Sequence, residues 1–402
     1  MEKKTNKRLF LDIHAIQTLP PSNINRDDTG SPKTAIYGGV RRARVSSQSW
    51  KRAMREYFSE RVAIGKRSKY IPKYLKDKLM ELNINLDNED VKSLTNIICN
   101  EVNLKVSKEG KLNVLFFLSD AQIQHLAEEA LNEITEYANK KGETIDIIIK
   151  KIIDENKKKD KKKEKEANKD EIFKFNKDKL NNTLIENSTI DIALFGRMLA
   201  DDPSLNEDAS SQVAHAISTH AVQNEFDFYT AIDDEDDNAG AGMLGSIEFN
   251  SSTLYRYSNV AVHEFFNQLK DDKEALMESL KLFIEAFSNS LPTGKINSFA
   301  NQTLPQALFV ILRDDRPISL VTAFEKPIKP FEGYVEKSIE KLVEEFENIE
   351  KFVNKPLATM YVIRNCEIDN FKEVGEKKES LTNLLDDFWQ KLSELIDEYK
   401  GE

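Results

Sequence analysis

Residues 38 to 55, GGVRRARVSSQSWKRAMR, compress into one short run a strand-like segment, a serine turn and a helical pattern, with six cations and no carboxylate. In a pleated strand alternate side chains share a face, so Ala43 and Val45 are expected to face a core. Arg42 and Arg44 would then point to solvent, with Arg41 on the apolar face or at its rim. Ser46 and Ser47 follow as N-cap candidates, and a helix beginning there offers unpaired N–H groups and a positive dipole end. A segment of this kind predicts an edge suited to phosphate.

From Gln48 onward Trp50, Ala53, Met54, Tyr57 and Phe58 fall at i, i+3, i+4, i+7 and i+8, an apolar helical stripe. Gln48, Lys51, Arg52 and Arg55 land on the opposite side, and the first acid is Glu56. A solvated polar face is the ordinary account of such a charge run. The lack of any compensating carboxylate before Glu56 favours an anionic partner instead.

The chain has 402 residues and a formal charge of −11, so any basic surface must be local rather than global. Residues 1 to 55 hold twelve Lys and Arg against four Asp and Glu, a net +8 that leaves −19 for the remainder. That asymmetry fits a nucleic-acid surface on an acidic body. Cys99 and Cys366 are too few and too far apart in sequence for a disulfide framework or a thiolate zinc site. No run approaches a membrane span, and the basic start MEKKTNKRLFLDIHAI is interrupted by Asp12 and His14. A reducing, cytoplasmic setting without a membrane partner is expected.

Residues 8 to 17 predict a first strand, followed by the irregular loop PPSNINRDDTGSPK. From about 60 to 186 the pattern is largely helical and reads as an insertion. Within it, fifteen of the eighteen residues from 154 to 171 are charged yet the net is only +1, a solvated excursion with no core to join. Strand-like sequence is read at IDIALFGRMLA (190–200), in SIEFNSSTLYRYSNVAV after a long insertion, and at ALFVILR (307–313). An amphipathic helix over 273–290 falls between the last two. The order β, α, helical insertion, β, loop insertion, β, α, β is the split βαβ order of ferredoxin-like and RRM-type folds, an α+β class. Residues 335–353 and 379–399 predict tail helices.

The loop NINRDD, the segment GGVRRARVSSQSWKRAMR, the stretch IALFGRM, then VAHAISTHAVQNEFDFYTAIDD and YRYSNV together resemble the backbone subunit of type I-E CRISPR surveillance complexes, the CasC family of Cascade. The resemblance spans most of residues 8 to 330. It implies an RRM-like palm (1–60 and 187–330), a helical fingers insertion (61–186) and a β-hairpin thumb near 219–247, with 331–402 a C-terminal helical region. It further implies a scaffold without chemistry or cofactor, stacking copy on copy along a CRISPR guide RNA and supporting pairing with a target DNA strand. Its other partners would be the large, small, guide-processing and 5'-handle-binding subunits. Carried onto this sequence, RNA contacts are expected from Arg26, Arg42, Arg44, Ser46, Gln48, Lys51, Arg52, Arg55 and Lys295. Met198 is the candidate for packing on a displaced base, against the alternative of a methionine filling core space.

A metal-dependent nuclease is the competing class, because Asp27 with Asp28, Asp201 with Asp202, and the run DDEDD (233–237) could hold Mg²⁺. A backbone subunit that cleaves RNA through Asp27 and Asp28 is that alternative. His215 and His220 lack the i, i+4 spacing of a helical zinc pair and read as structural, as does His14. The glycines at 240, 242 and 245 lack a phosphate-loop ending and read as a turn.

Overall fold

The computed structural model describes residues 8–82, 86–161, 173–199, 202–232, 241–330, 332–364 and 374–400. Two compact units emerge, Met1–Arg61 with Ser210–Glu402, and Val62–Ala209. The first unit begins with β1 (Phe10–Ser22), β2 (Thr34–Tyr37), β3 (Val40–Val45) and α1 (Ser47–Ser59). The second holds β4 (Lys66–Ser68), α2 (Ile71–Glu81), α3 (Asn88–Glu101), β5 (Phe116–Leu118), α4 (Asp120–Lys141), α5 (Ile145–Lys161), α6 (Lys177–Ile185) and α7 (Ile190–Phe195). The first unit resumes with β6 (Ser211–Val213), β7 (Ala216–Ser218), β8 (Glu225–Ile232), β9 (Ala241–Ala261), α8 (Val262–Gln268), α9 (Lys273–Asn289) and α10 (Ile296–Phe299). It ends with β10 (Ala307–Arg313), α11 (Val335–Ile349), β11 (Ala358–Ile363), β12 (Glu376–Lys377) and α12 (Leu381–Lys400).

Its sheet runs β12-β11-β10-β1-β9-β7-β3-β2, with β6 and β8 also paired to β9. All described pairings are antiparallel except β11 with β12. Strand β1 is central because FLDIHAIQTL supplies apolar residues to both faces, and it is buried over most of its length. On one face Ile16, Tyr255, Tyr257, Phe309 and Tyr361 pack against Ile339, Leu342, Val343 and Phe346 of α11. On the other, the guanidinium of Arg256 lies 3.7 Å from the centroid of the Trp50 ring in α1 and 4.4 Å from that of Phe287 in α9. The aromatic face of this sheet is therefore covered by a helix of its own unit.

In the second unit, helices α2 to α6 close around one core that includes Leu75, Leu94, Ile98, Leu126, Ile134, Ile149 and Leu180. Helix α4 opens with a capping box between Ser119 and Gln122 and ends at Gly142 with φ +68°, the left-handed conformation that favours glycine. Cys99 is buried in this core as a free thiol, its pKa pushed up to about 12 by burial. Cys366 lies outside the described residues.

Three expectations are corrected. The segment 190–200 begins as a helix, Ile190–Phe195, not a strand: Asp191 is buried in its first turn and accepts from the Gly65 N–H at 3.0 Å and the Thr189 hydroxyl at 2.6 Å. The strands that follow are β6 and β7, and residues 187–209, read as part of the palm, belong to the second unit. The C-terminal region is not purely helical, because Ala358–Ile363 pairs along β10 and extends the sheet.

Candidate nucleic-acid interface

The basic segment folds as a strand running directly into a helix. Strand β3 pairs with β2 on one side and β7 on the other, and Ala43 and Val45 join Trp50, Leu254 and Leu291 in a buried cluster. Helix α1 buries Trp50, Ala53, Met54 and Phe58. Tyr57 is only half-buried, its ring 3.8 Å from the Arg61 guanidinium carbon. Gln48 and Arg52 are exposed, and Lys51 and Arg55 half-exposed, on the solvent side of α1. Arg52 pairs with Glu56 at 2.8 Å, an exposed pair that a phosphate can exchange for at little cost.

Arg42 does not point to solvent. It is buried, and its guanidinium donates to the carbonyls of Tyr37 (3.1 Å), Ser218 (3.0 Å), Phe324 (2.7 Å) and Glu325 (3.3 Å). With its donors engaged by the protein it is a structural cation, and burial holds its pKa below the usual arginine value. Arg41, on the opposite side of the strand, is exposed instead. It lines a cavity of about 620 Å³ with Val222, Gln223, Asn224, Phe226 and Glu248.

Ser46 occupies the N-cap position but its side chain does not cap α1. It is buried, and Asn25 takes it up: the Asn25 side-chain carbonyl accepts from the Ser46 N–H (2.8 Å) and hydroxyl (2.9 Å), while the Asn25 amide donates to Ser49 at 2.9 Å. This lock ties the NINRDD loop to the strand–helix junction and sets exposed Arg26 beside it. Lys33 joins the group through its carbonyl, which accepts from the Arg44 N–H at 2.9 Å. The Ser47 N–H donates to His215 Nδ1 at 3.1 Å, and burial, then Arg44 and Lys33, hold His215 below its usual pKa. A neutral imidazole is what that acceptor role requires.

The loop carrying Lys295 reaches the same place. A Cβ on Gly294 would stand 2.2 Å from the Ile24 carbonyl oxygen, so only glycine lets the two backbones approach this closely. Lys295 is half-exposed with φ 54°. The first unit thus carries Arg26, Arg44, Gln48, Lys51, Arg52, Arg55 and Lys295 on the segments that meet at or leave this junction, with Lys33 added, while Arg41 lies toward the other end of β3. Lys33 is placed by the β2–β3 hairpin, and Arg41, expected on the apolar face or at its rim, is exposed.

Met198 belongs to the second unit and is 85% exposed, which rules out the core-filling account. It borders a cavity of about 640 Å³ with Arg67, Leu115 and Phe117. In the first unit, β8 and the start of β9 form an antiparallel hairpin on which Phe226, Phe228 and Leu244 share one exposed face.

Asp27 and Asp202 are each engaged by neighbouring hydrogen-bond donors. Asp27 Oδ1 accepts from the Thr29 hydroxyl (2.7 Å), the Thr29 N–H (2.9 Å) and the Ser31 N–H (3.0 Å), which hold its carboxyl below the usual range. Asp202 is taken by Ser204 and Asn103, while Asp201 and residues 233–237 lie outside the described residues. Among the described residues no cluster of His, Cys, Asp or Glu could hold a metal ion. Nor is any described helix long and apolar enough to cross a membrane. His14 and His220 are satisfied internally: His14 Nδ1 bonds the Tyr255 hydroxyl (2.9 Å), and His220 Nε2 accepts from the Thr253 N–H (3.0 Å).

Sheet and junction together define an α+β protein whose acidic body presents a basic strand-to-helix edge. The chain belongs to the CT1975-like protein family, whose profile matches residues 11–387. It shares its fold with a chain of a CRISPR RNA-guided surveillance complex in a pre-nicking state, at 31% identity and a TM-score of 0.76, over 95% of this chain and 99% of that one. A chain of another CRISPR RNA-guided surveillance complex is similar at 28% identity and a TM-score of 0.67, with the same coverage. No curated protein matches.

Proposed function

We propose that this chain is the guide-RNA-binding backbone subunit of a type I-E CRISPR surveillance complex. It acts in the cytoplasm, polymerises along the guide and supports pairing of the guide with a target DNA strand. Its unit of 1–61 and 210–402 serves as the palm, in which β10-β1-β9-β7 with α1 and α9 follow the ferredoxin-like strand and helix order. The β8–β9 hairpin serves as the thumb and Val62–Ala209 as the fingers. The large, small, guide-processing and 5'-handle-binding subunits complete the assembly.

The observation that carries this reading is the presence of Arg26, Arg44, Gln48, Lys51, Arg52, Arg55 and Lys295 on the segments that meet at or leave the junction that Asn25 locks. RRM-type domains read RNA on exposed sheet aromatics, but here Tyr255 and Tyr257 lie under α11. Contact therefore falls to the basic edge, which holds phosphates and leaves the bases to pair. Met198 packs on a displaced base. The subunit has no chemistry of its own and needs no cofactor.

Co-expression with a CRISPR array and the partner subunits tests this. Several copies of the chain should be recovered per guide RNA, and Lys51→Glu with Arg55→Glu should abolish that recovery. One copy per RNA, or recovery of random cellular RNA, would overturn the reading.

A further inference from the structure

We propose that the second unit carries its own binding track for single-stranded nucleic acid, built from the segment around β4 and the hairpin loop 105–113. Residues 66 to 76 hold five cations and no carboxylate, and residues 105 to 113 hold three lysines against Glu109. The fold joins the two. The Leu112 N–H donates to the Lys69 carbonyl at 2.8 Å, the Asn113 N–H to the Lys105 carbonyl at 3.1 Å, and Val106 bridges Leu112 across the turn at Gly110. On a chain of net charge −11 such a concentration is a local feature that solubility does not require.

The nearby carboxylates leave most of it uncompensated. Asp120 takes Lys66 at 3.1 Å and Lys78 at 3.8 Å, and Glu109 stands 3.7 Å from Lys111. Lys69, Lys73, Lys105 and Lys108 are exposed, and among the described residues none is in an ion pair. A run of unpaired ammonium groups complements a phosphate chain.

The aromatic and apolar groups between them select the kind of strand. Tyr70, flanked by Lys69 and the start of α2, is 48% exposed, and Lys111 Nζ sits 5.1 Å from its ring centroid. Leu115, just before β5, is 56% exposed. Unstacked bases find π and apolar partners on such a surface, whereas a duplex hides its base faces and an acidic peptide has none. The track is separate in its residues from the strand–helix junction of the first unit and does not depend on it.

Fluorescence anisotropy of the purified full chain with a labelled oligothymidine of about 30 nucleotides, against a random duplex of the same length, provides the test. Lys69→Ala, Lys73→Ala, Lys105→Ala and Lys108→Ala combined should weaken oligothymidine binding at least ~10-fold and flatten its salt dependence. Tyr70→Ala should weaken oligothymidine about tenfold and leave the duplex unchanged. In the Lys51→Glu/Arg55→Glu background the fourfold lysine variant should show the same loss, so the result stands apart from guide binding. Parental affinity in the fourfold variant, or equal losses on oligothymidine and duplex for Tyr70→Ala, would overturn the proposal. Matching thermal unfolding of variants and parent confirms that the fold is intact.

Discussion

Arg256 is clamped between two aromatic rings, its guanidinium carbon 3.7 Å from the Trp50 centroid and 4.4 Å from that of Phe287. It also donates to the Gln17 side chain and to the Phe287 carbonyl. Burial lowers its pKa to about 9, so the charge persists at neutral pH. This stack fastens α1, and with it the basic edge, to the centre of the sheet. Trp50→Ala removes the cation's aromatic cover and opens a cavity, and should cost about 3–5 kcal/mol of stability. The shift in urea midpoint measures it, and a loss under ~1 kcal/mol would show that the stack does not hold the helix.

Arg42 and Arg41 are neighbours with opposite duties. Arg42→Ala strands four carbonyl acceptors and should lower stability by about 3 kcal/mol, because buried acceptors left unpaired cost their desolvation. Arg41→Ala and Arg26→Ala should each change stability by no more than ~0.5 kcal/mol. Each should instead reduce the salt dependence of guide binding by about 0.7 in log–log slope, one phosphate contact on a single strand. Melting curves beside filter binding over a salt series separate the two effects, and a stable Arg42→Ala protein with a reduced salt slope would reverse the assignment.

How much of this was legible in the sequence follows from which contacts are local. The strand–helix succession and the cationic side of α1 were readable because side-chain period alone fixes them. For Arg42, alternation assigns a face but not what covers it, and the carbonyls of Phe324 and Glu325 come from almost three hundred residues away. Neither side-chain period nor charge signals Asn25 or His215, whose partners Ser46 and Ser47 stand 21 and 168 residues away. The apolar run at 190–195 is too short for periodicity to separate helix from strand. ATMYVI at 358–363 carries a β-type signal that two strongly helical flanking segments mask.

Asp12 and His14 lie on the same face of β1 and titrate in opposite senses. Burial lowers His14 from 6.5 to about 3, so its contribution is complete above 6.5 and is lost as pH falls toward about 3. Burial raises Asp12 from 3.8 to about 6 despite bonds from Tyr257, Ile318 and Asn259, so its contribution is complete below 3.8 and is lost as pH rises through about 6. Between these limits the two slopes oppose. Asp12→Asn should therefore steepen the acid loss of stability by up to ~1.4 kcal/mol per pH unit between about pH 4 and 6. Denaturant midpoints across that range measure the slope, and unchanged slopes would refute the coupling.

Asp27 organises its own turn, its Oδ1 accepting from Thr29 and Ser31, which gives this carboxylate a structural role. Target RNA incubated with the assembled complex and Mg²⁺ should remain intact, with Asp27→Ala no different from the parent in that assay. RNA cleavage that Asp27→Ala abolishes would restore the nuclease reading.

The β8–β9 hairpin exposes Phe226 (69%) and Phe228 (67%) on the face it shares with Leu244. Side chains this exposed contribute little to the stability of the monomer, so Phe226→Ser with Phe228→Ser should change it by less than ~1 kcal/mol. Two aromatic rings left in water by one copy make physical sense where the hairpin is covered by another copy or by unstacked bases. Under the proposed filament, the double variant should still be recovered with guide RNA but with fewer copies per strand, since its basic edge is untouched. Native mass spectrometry of the recovered particles reads the stoichiometry directly, and a full complement of copies would remove the hairpin from the assembly mechanism.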